Sequence, residues 1–574
     1  MLKRCLHIIL FAGFFFFVFS SCRKSVKENP EPEEPEVIDP ATDPPVAATA
    51  GFFLDEWKPR SFSVPPSANG SVPAAATYTI SVNRSKVLSK ISPAIFGNNA
   101  NLWMTQIVDQ PVLMDHLKKL SPSVIRFPGG SISDIFFWNA EKDMPPADAP
   151  AALMQADGST APAGYWYGKN AEGWTFSVSN YYQLLQQTGS KGLITINYGY
   201  ARYGTSADPV AAAAHLAAEW VRYDNGRTAY WEIGNENFGE WEAGYRIAAA
   251  GNQDGQPEFL SGQLYGQHFK VFADSMRQAA AAIGKTIYIG AVMVESVSPA
   301  WATDTHRNWN SGMLTAIDNS ADYYVLHNYY TPYHVNSTAA EILATPQAET
   351  KKMVDFVKQA FSTHGASLKP LVLDEWNIFA TGSKQQVSHI NGLHALMVLG
   401  ESMKQELGLT ARWDLANGWD DGNDHGMFSQ GEAASGESKW QPRPAFYHMY
   451  FLQKMAGDRL VESVHTIPGA AVYATSFSSG ETGLVIVNTS TASFTAKVAI
   501  KNFLKGDKYY WYTLTGSNDN GEFSREVIIN NSSPEGTGGP SGYATLPAYG
   551  AAATGDIRVE VPARAAVFLV ADNK

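Results

Sequence analysis

Cysteine is almost absent from this chain. Its 574 residues hold two, Cys5 and Cys22, both before residue 25. The body therefore has neither a disulfide nor a thiolate metal site. Charge is sparse too, at 17% of residues, with a net charge of −12. That acidic balance argues against nucleic acid or an anionic membrane surface as a partner. The 13 histidines include no HExxH pair, and no internal repeat is evident. Gly284-Lys285-Thr286 lacks the upstream glycine of a phosphate loop and reads as a helix end turning into a strand. No metal and no cofactor is expected.

The longest apolar run, LHIILFAGFFFFVF at 6–19, is too short for a comfortable membrane span. It follows Lys3 and Arg4 and precedes Ser20-Ser21-Cys22, so residues 1–22 read as an export signal. The small residues before Cys22 fit a lipoprotein-type cleavage box with Cys22 lipidated, although Phe19 departs from the usual aliphatic residue there. An ordinary secretory signal with an incidental cysteine is the competing reading. The expected placement is the cell envelope, as an outer-membrane or surface lipoprotein touching the membrane only through its lipid.

Residues 23–50 hold six prolines, many acids and few large apolar side chains, the composition of a semi-extended tether. Residues 51–92 form an N-terminal segment. In it Phe52, Phe53, Leu54 and Trp57 are expected to dock on the body, and 76–92 alternates like a strand. From 93 to 457 the pattern is strand, helix, strand. Candidate strands are 94–99, 123–130, 192–200, 229–237, 286–293, 322–330, 370–377 and 411–418, with helical stretches between them and a closing helix at 444–457. This is α/β architecture, a (β/α)8 TIM barrel. The long, Trp- and Tyr-rich insertion at 131–180 is placed to build a cleft. From 458 to 574, short alternating runs separated by Gly, Ser and Asn read as an antiparallel β-sandwich, which strand 76–92 is expected to join.

Two candidate strands end in carboxylates. YWEIGNENFGEWEAGY (230–245) passes from apolar residues into Gly234, Asn235, Glu236 and Asn237, and PLVLDEWN (370–377) ends in Asp374, Glu375, Trp376 and Asn377. Two strand-end glutamates suit a retaining glycosidase. Asp420, Asp421, Asp424 and His425 match no cation loop and read as a solvated loop.

Together with IRFPGG (125–130) followed by a Trp, these motifs resemble clan A glycoside hydrolases, closest to family 51, the α-L-arabinofuranosidases and some endoglucanases. The resemblance implies retention by double displacement. Glu375 would be the nucleophile and Glu236 the acid/base, protonated at the outset through the charge of Glu375. It further implies that Arg126 keeps Glu375 ionised and that Asn235 bonds a sugar hydroxyl. His327, Tyr329 and Tyr330 end strand 6 and could position Glu375 or the sugar; for His327 a satisfied core histidine is an equal reading, and for Arg126 a structural salt bridge. Asn197, Tyr198, Trp138, Trp376 and Trp419 are candidate sugar contacts, with core packing as the alternative for each aromatic. Two features depart from the family: FGNNANLW after strand 1 has no acid, and Ser131 follows the PGG in place of Asn. The expected substrate is plant or algal polysaccharide or its fragments, arabinofuranosides first. An endo-acting glucanase or xylanase of the clan is the first alternative. A non-catalytic carbohydrate-binding lipoprotein is the second.

Overall fold

The computed structural model describes residues 38–248, 251–418, 420–517, 522–534 and 536–573. Eight parallel strands close into a barrel: β1 (Gly97–Asn99), β2 (Val124–Phe127), β3 (Lys191–Ile196), β4 (Tyr230–Ile233), β5 (Tyr288–Val292), β6 (Tyr323–Tyr329), β7 (Leu371–Asn377) and β8 (Leu409–Arg412). Each pairs with its successor, and β8 closes on β1 through Arg412 and Asn98. Every strand overlaps a stretch expected from the sequence, though β8 starts two residues earlier than its stretch. The strands are walled by helices on one side and filled by side chains on the other. They therefore read as continuous apolar runs rather than alternating ones.

The helices between them start where the sequence supplies acceptors. Ser261 accepts from Leu264 N at the head of the helix Gly262–Ala282. Thr338 and Glu341 form a reciprocal capping box on Ala339–His364, which ends at a left-handed Gly365. The end of the barrel away from the strand-terminal glutamates is plugged. Phe52 stacks on Tyr288 at 3.9 Å between ring centroids, and Phe53 packs against Tyr230 and Tyr323. The tether reading fails for its last residues. Asp43 is paired to Arg459 and Lys90, and Ala50 is buried, so the chain is docked well before residue 51.

Most of the remaining strands form one 11-stranded sheet. It includes Tyr78–Lys90, paired with Arg459–Val464 and Phe494–Lys501. Pairing in the sheet is mostly antiparallel, but the contacts of Tyr78–Asn83 with Ala496–Lys501 and of Ser67–Asn69 with Ala548–Gly550 are parallel. Alternate residues serve two cores. Tyr510, Tyr512 and Leu514, with Ala566, Phe568 and Val570, join the core of the barrel. Tyr509 and Trp511, with Val567 and Leu569, join a second core inside the sheet region. Phe451 of the closing helix Pro444–Met455 packs on Tyr512 at 4.6 Å. Residues 131–180 carry two small sheets, Phe136–Phe137 with Trp166–Tyr167 and Ala152–Met154 with Thr160–Pro162. Among the described residues no helix is long and apolar enough to cross a membrane.

Candidate active site

Charged residues in strands buried on both faces must find partners inside the barrel. Arg126 on β2 finds several. Its Nε and Nη2 make a bidentate pair with Glu232 on β4, at 2.8 and 3.1 Å. Nη1 donates to Asn99 Oδ1 at 3.1 Å and to Glu375 Oε2 at 2.9 Å, and Nη2 also donates to Asn235 Oδ1 at 2.9 Å. Those contacts commit all five guanidinium N–H groups. Asp374 lies 3.5 Å from Nε. Register supplies the alignment, since Asn99 faces Arg126 across β1 and β2.

Gly234 follows β4; its φ of +78° suits glycine, and a Cβ there would lie 1.8 Å from Asn237 Oδ1. The turn delivers Glu236 in a left-handed conformation, φ +42°. A non-glycine residue held there is a strained position of the kind that clusters at functional sites. His327 Nδ1 lies 2.8 Å from Glu236 Oε1, and Trp241 Nε1 donates to Oε2 at 3.0 Å. Across the barrel a register shift between Leu326 and His327 sets His327 opposite Glu375. Tyr329 donates to Glu375 Oε1 at 2.7 Å, its ring stacked on Phe379. One oxygen of Glu236, one of Glu375 and a ring nitrogen of His327 all lie within 4.8 Å of one another.

The protonation pattern differs from the expected one. His327 is held well above its ordinary pKa: burial works against this, but Glu375, Asp374 and Glu236 outweigh it. The imidazolium donates from Nδ1 to Glu236 and points Nε2 at Asp374 Oδ1, 3.3 Å away. Burial pushes Glu236 up, yet the bond and charge of His327 bring it below the usual carboxylate range. Burial raises Glu375 above that range against the pull of His327 and Arg126. Burial likewise pushes Glu232 up to about 7. These directions run against the expected ones: Glu236 is lowered beside a protonated His327, and Glu375 is raised. Glu232, His327 and Asp374, like Glu236, His327 and Glu375, converge closely enough to suggest a metal. Arg126 already supplies positive charge to three of these carboxylates.

The other expected contacts fall elsewhere. Trp376 is fully buried in the core. Tyr198 is fully buried with its hydroxyl on His268 Nδ1 (3.0 Å). Asn197 is consumed by Phe136 O, Tyr203 and Tyr200 N. Trp138 stacks on Trp220 and donates to Leu216 O. None of the four faces a sugar, because each is used by the packing of the insertion or the barrel wall. Tyr330 points away to Thr350. Trp419 lies outside the described residues. The 420–425 loop is only partly solvated: Asp424 is buried against Arg443, and His425 packs on Tyr329. After strand 1, Asn101 is buried and donates to Asp414 Oδ2 on the β8 side at 2.6 Å.

Sequence reading missed Glu232, Trp241, Glu242 and Asp134 as parts of the site. Asp134 accepts from the backbones of Tyr198, Gly199 and Asn235 and from the Asn237 side chain, tying the insertion to the ends of β3 and β4. Glu242 accepts from Asn235 Nδ2 at 3.0 Å and Ser131 Oγ at 2.7 Å. Trp241 is half-exposed, with Trp301 edge-on at 6.3 Å, an aromatic wall beside Glu236.

Residues 116–340 match the family model described as the alpha-L-arabinofuranosidase 1 domain. The match spans less than half of the chain and marks this stretch as similar to that domain. The arabinofuranosidase 1 domain match takes in Arg126, Asn235, Glu236 and His327 and stops short of Glu375. An intracellular exo-α-(1→5)-L-arabinofuranosidase of Streptomyces lividans is 22% identical over 306 residues, covering 50% of this chain and 41% of that relative's length. An α-L-arabinofuranosidase from Thermotoga maritima, solved with arabinose, superposes with a TM-score of 0.56 at 17% identity, over 86% of this chain and 99% of that one. A bifunctional glucanase-xylanase from a metagenome library also gives 0.56, at 13% identity over 87% and 99%. The expectation of an exported, surface-anchored lipoprotein is corrected at this point: the curated relative is named as intracellular, which points away from export. Cys22 and the rest of 1–37 lie outside the described residues.

Proposed function

We propose that this protein is a retaining glycoside hydrolase, acting by double displacement on plant or algal polysaccharide or its fragments, with α-L-arabinofuranosides as the first substrate class. The observation that carries this reading is the close approach of the Glu236 and Glu375 oxygens, within 4.8 Å. Retaining enzymes hold their carboxyl groups about 5–5.5 Å apart, whereas inverting ones leave room for a water between them. Glu375 is the nucleophile. Arg126 and Tyr329 donate to it and favour its ionised form. Glu236 is the acid/base, and His327 stands as its proton reservoir, passing a proton from Nδ1 to Glu236 as the leaving oxygen takes one. Glu236 later deprotonates the water that hydrolyses the glycosyl-enzyme. Asn235, its oxygen fixed by Arg126 and one N–H by Glu242, presents its remaining N–H toward a sugar hydroxyl. The 11-stranded sheet is read as an accessory sandwich that braces the closing helix.

The endo-acting reading is favoured by one feature, the exposed Trp241 and Trp301 beside Glu236, which offer stacking surface for a longer chain. Rates on nitrophenyl α-L-arabinofuranoside beside xylo- and gluco-oligosaccharides of rising length separate the two. A steep rise with chain length and no turnover of the arabinoside would select the endo reading. For the mechanism, Glu375→Gly is expected to abolish turnover. Glu236→Ala is expected to lose most on poor leaving groups and to give a glycosyl azide of retained configuration when azide is added. An inverted first product from the unaltered enzyme, seen by proton NMR, rules the mechanism out.

A further inference from the structure

Tyr329 reaches Glu375 from the end of β6, and two neighbours flank its ring. Phe379, in the segment after β7, stacks on it at 4.6 Å between centroids. His425, in the segment after β8, packs against it at 5.3 Å with the ring planes 58° apart. Neither neighbour belongs to a helix or strand, so each must be held by other means. They hold each other. Ala380 is buried, and its backbone N–H needs an acceptor. It finds His425 Nε2 at 3.2 Å. Further on, Ser383 N donates to Asn423 Oδ1 at 3.0 Å, and Lys384 pairs with Asp421. The segments after β7 and β8 are thereby laced together beside the nucleophile.

The backbone of His425 is anchored as well. Arg412, at the end of β8 and fully buried, donates from Nη1 to His425 O at 3.2 Å. Its Nη2 donates to Asn391 Oδ1 at 2.9 Å, and Asn391 Nδ2 donates to Asn377 Oδ1 at 2.9 Å. Asn377 closes β7; it also accepts from Ile378 N and donates to Trp413 O. This buried polar chain fixes the roots of both segments, and the chemistry at Glu375 does not otherwise use it. A ring that accepts through Nε2 carries its proton on Nδ1 and is neutral. Burial and the charge of Arg412 favour that form, holding the pKa of His425 at about 3.

We propose that His425 is a positioning residue for the nucleophile: bonded to Ala380 N, it completes the clamp on Tyr329 that keeps the phenol on Glu375 Oε1. In this role His425 makes no bond to Glu375 and acts through Tyr329. The proposal rests on the reading of Glu375 as nucleophile. It gives the 420–425 loop a part in the site, although that loop carries no group that takes part in the reaction.

The test is a cycle of His425→Ala, Tyr329→Phe and the double variant, with His425→Gln beside them. Each is assayed for kcat/KM on nitrophenyl α-L-arabinofuranoside across pH. His425→Ala is expected to lower kcat/KM about tenfold or more, up to the loss seen in Tyr329→Phe, and to move the acidic limb to higher pH as that variant does. In the Tyr329→Phe background the same substitution is expected to change the rate by no more than about twofold, because the contact it acts through is already gone. His425→Gln keeps an acceptor for Ala380 N and is expected to recover most of the loss. A glutamine no better than alanine overturns the role given to that bond. Losses that multiply in the double variant, or a limb that His425→Ala leaves in place, refute the proposal. The pKa of Glu375 is also read without turnover, by NMR of glutamate isotope-labelled at the carboxyl carbon, by difference against Glu375→Gln. It is expected to rise in His425→Ala as in Tyr329→Phe. If the unaltered protein hydrolyses nothing, the hydrolase reading fails, and this titration alone decides the clamp: a raised Glu375 sustains it, and an unmoved one overturns it.

Discussion

Removing one oxygen atom tests the assignment of Glu375. Tyr329 donates to Glu375 Oε1 at 2.7 Å, and its ring is held independently, stacked on Phe379 at 4.6 Å and packed against His425. Tyr329→Phe therefore deletes the bond and leaves the ring in place. Burial and the neighbouring carboxylates keep the phenol far above its ordinary pKa, so in the native enzyme it is a donor at every working pH. A hydrogen bond to a charged group contributes about 1.5–3 kcal/mol, or roughly 10- to 150-fold in rate if it stabilises the ionised nucleophile. The direction with pH is also fixed. Burial already lifts Glu375 above the usual range, and the Tyr329 bond opposes that lift. Losing the bond raises its pKa further, so the acidic limb of kcat/KM moves to higher pH. The assay is kcat/KM on nitrophenyl α-L-arabinofuranoside from pH 4 to 9. An acidic limb that stays in place, with rates within about twofold of the parent, would refute the assignment of Glu375 as the ionised nucleophile.

Other perturbations read the framework under the site. Arg126→Met leaves Glu232, Asp374 and Glu375 without their shared cation and is expected to cost about 3–5 kcal/mol in urea unfolding, beyond any loss of activity. Gly234→Ala meets both a φ of +78° and Asn237 Oδ1 at 1.8 Å, so its melting temperature should fall by the equivalent of about 1–3 kcal/mol. Buried carboxyls lower stability as pH rises from about 4 to 7, against buried His268, His389, His394 and His425, which are held at about 3 to 4 and raise it up to 6.5. Asp134, Glu232 and Glu295 are all pushed up to about 7 by burial, from ordinary values of 3.8 and 4.5. Groups raised in the folded state stabilise it fully below the unfolded pKa, and that stability is lost as pH climbs through the folded value. His327, also raised, acts in the same direction above 6.5. Glu295→Gln removes one of these groups, so its urea midpoint should fall less, or rise more, over this window than the parent's; an unchanged slope would contradict the raised pKa of Glu295.

The parts of the molecule that the sequence disclosed are those with a local signature. Apolar runs bounded by glycine and polar residues mark all eight barrel strands, because strands buried on both faces have no other pattern. The strand-end glutamates stand out for the same reason, since a carboxylate closing an apolar run needs a partner. That logic extends one step further. Glu232 inside YWEI and Asp374 inside LVLD interrupt apolar strands just as Arg126 does, and a charge at an inward position of a barrel strand must be paired within the barrel. Aromatic content misled. Trp138, Tyr198 and Trp376 are large and lie near strand ends, but a barrel wall needs big side chains to fill it, and that need was met first. The opposite shifts of Glu236 and Glu375 were not legible, because they depend on His327 lying 2.8 Å from one carboxylate and 3.8 Å from the other.

Arg126 shows how the buried layer governs the exposed one. Its bidentate pair with Glu232 fixes the plane of the guanidinium. Once that plane is set, the remaining N–H groups can point only along the outer edge, where Asn99, Glu375 and Asn235 receive them. A lysine could supply the same charge but not these five directions. Two cations, Arg126 and His327, face four carboxylates: Glu232, Asp374, Glu236 and Glu375. Full ionisation would leave two uncompensated negative charges in a largely buried cluster, so it retains a proton on a carboxyl near neutral pH, in keeping with Glu232 near 7. When Glu375 is esterified, one of those charges disappears. The pull on His327 then weakens, and its proton becomes easier to give up. The charge consumed at one carboxylate thereby eases proton delivery at the other, through an imidazole that touches both.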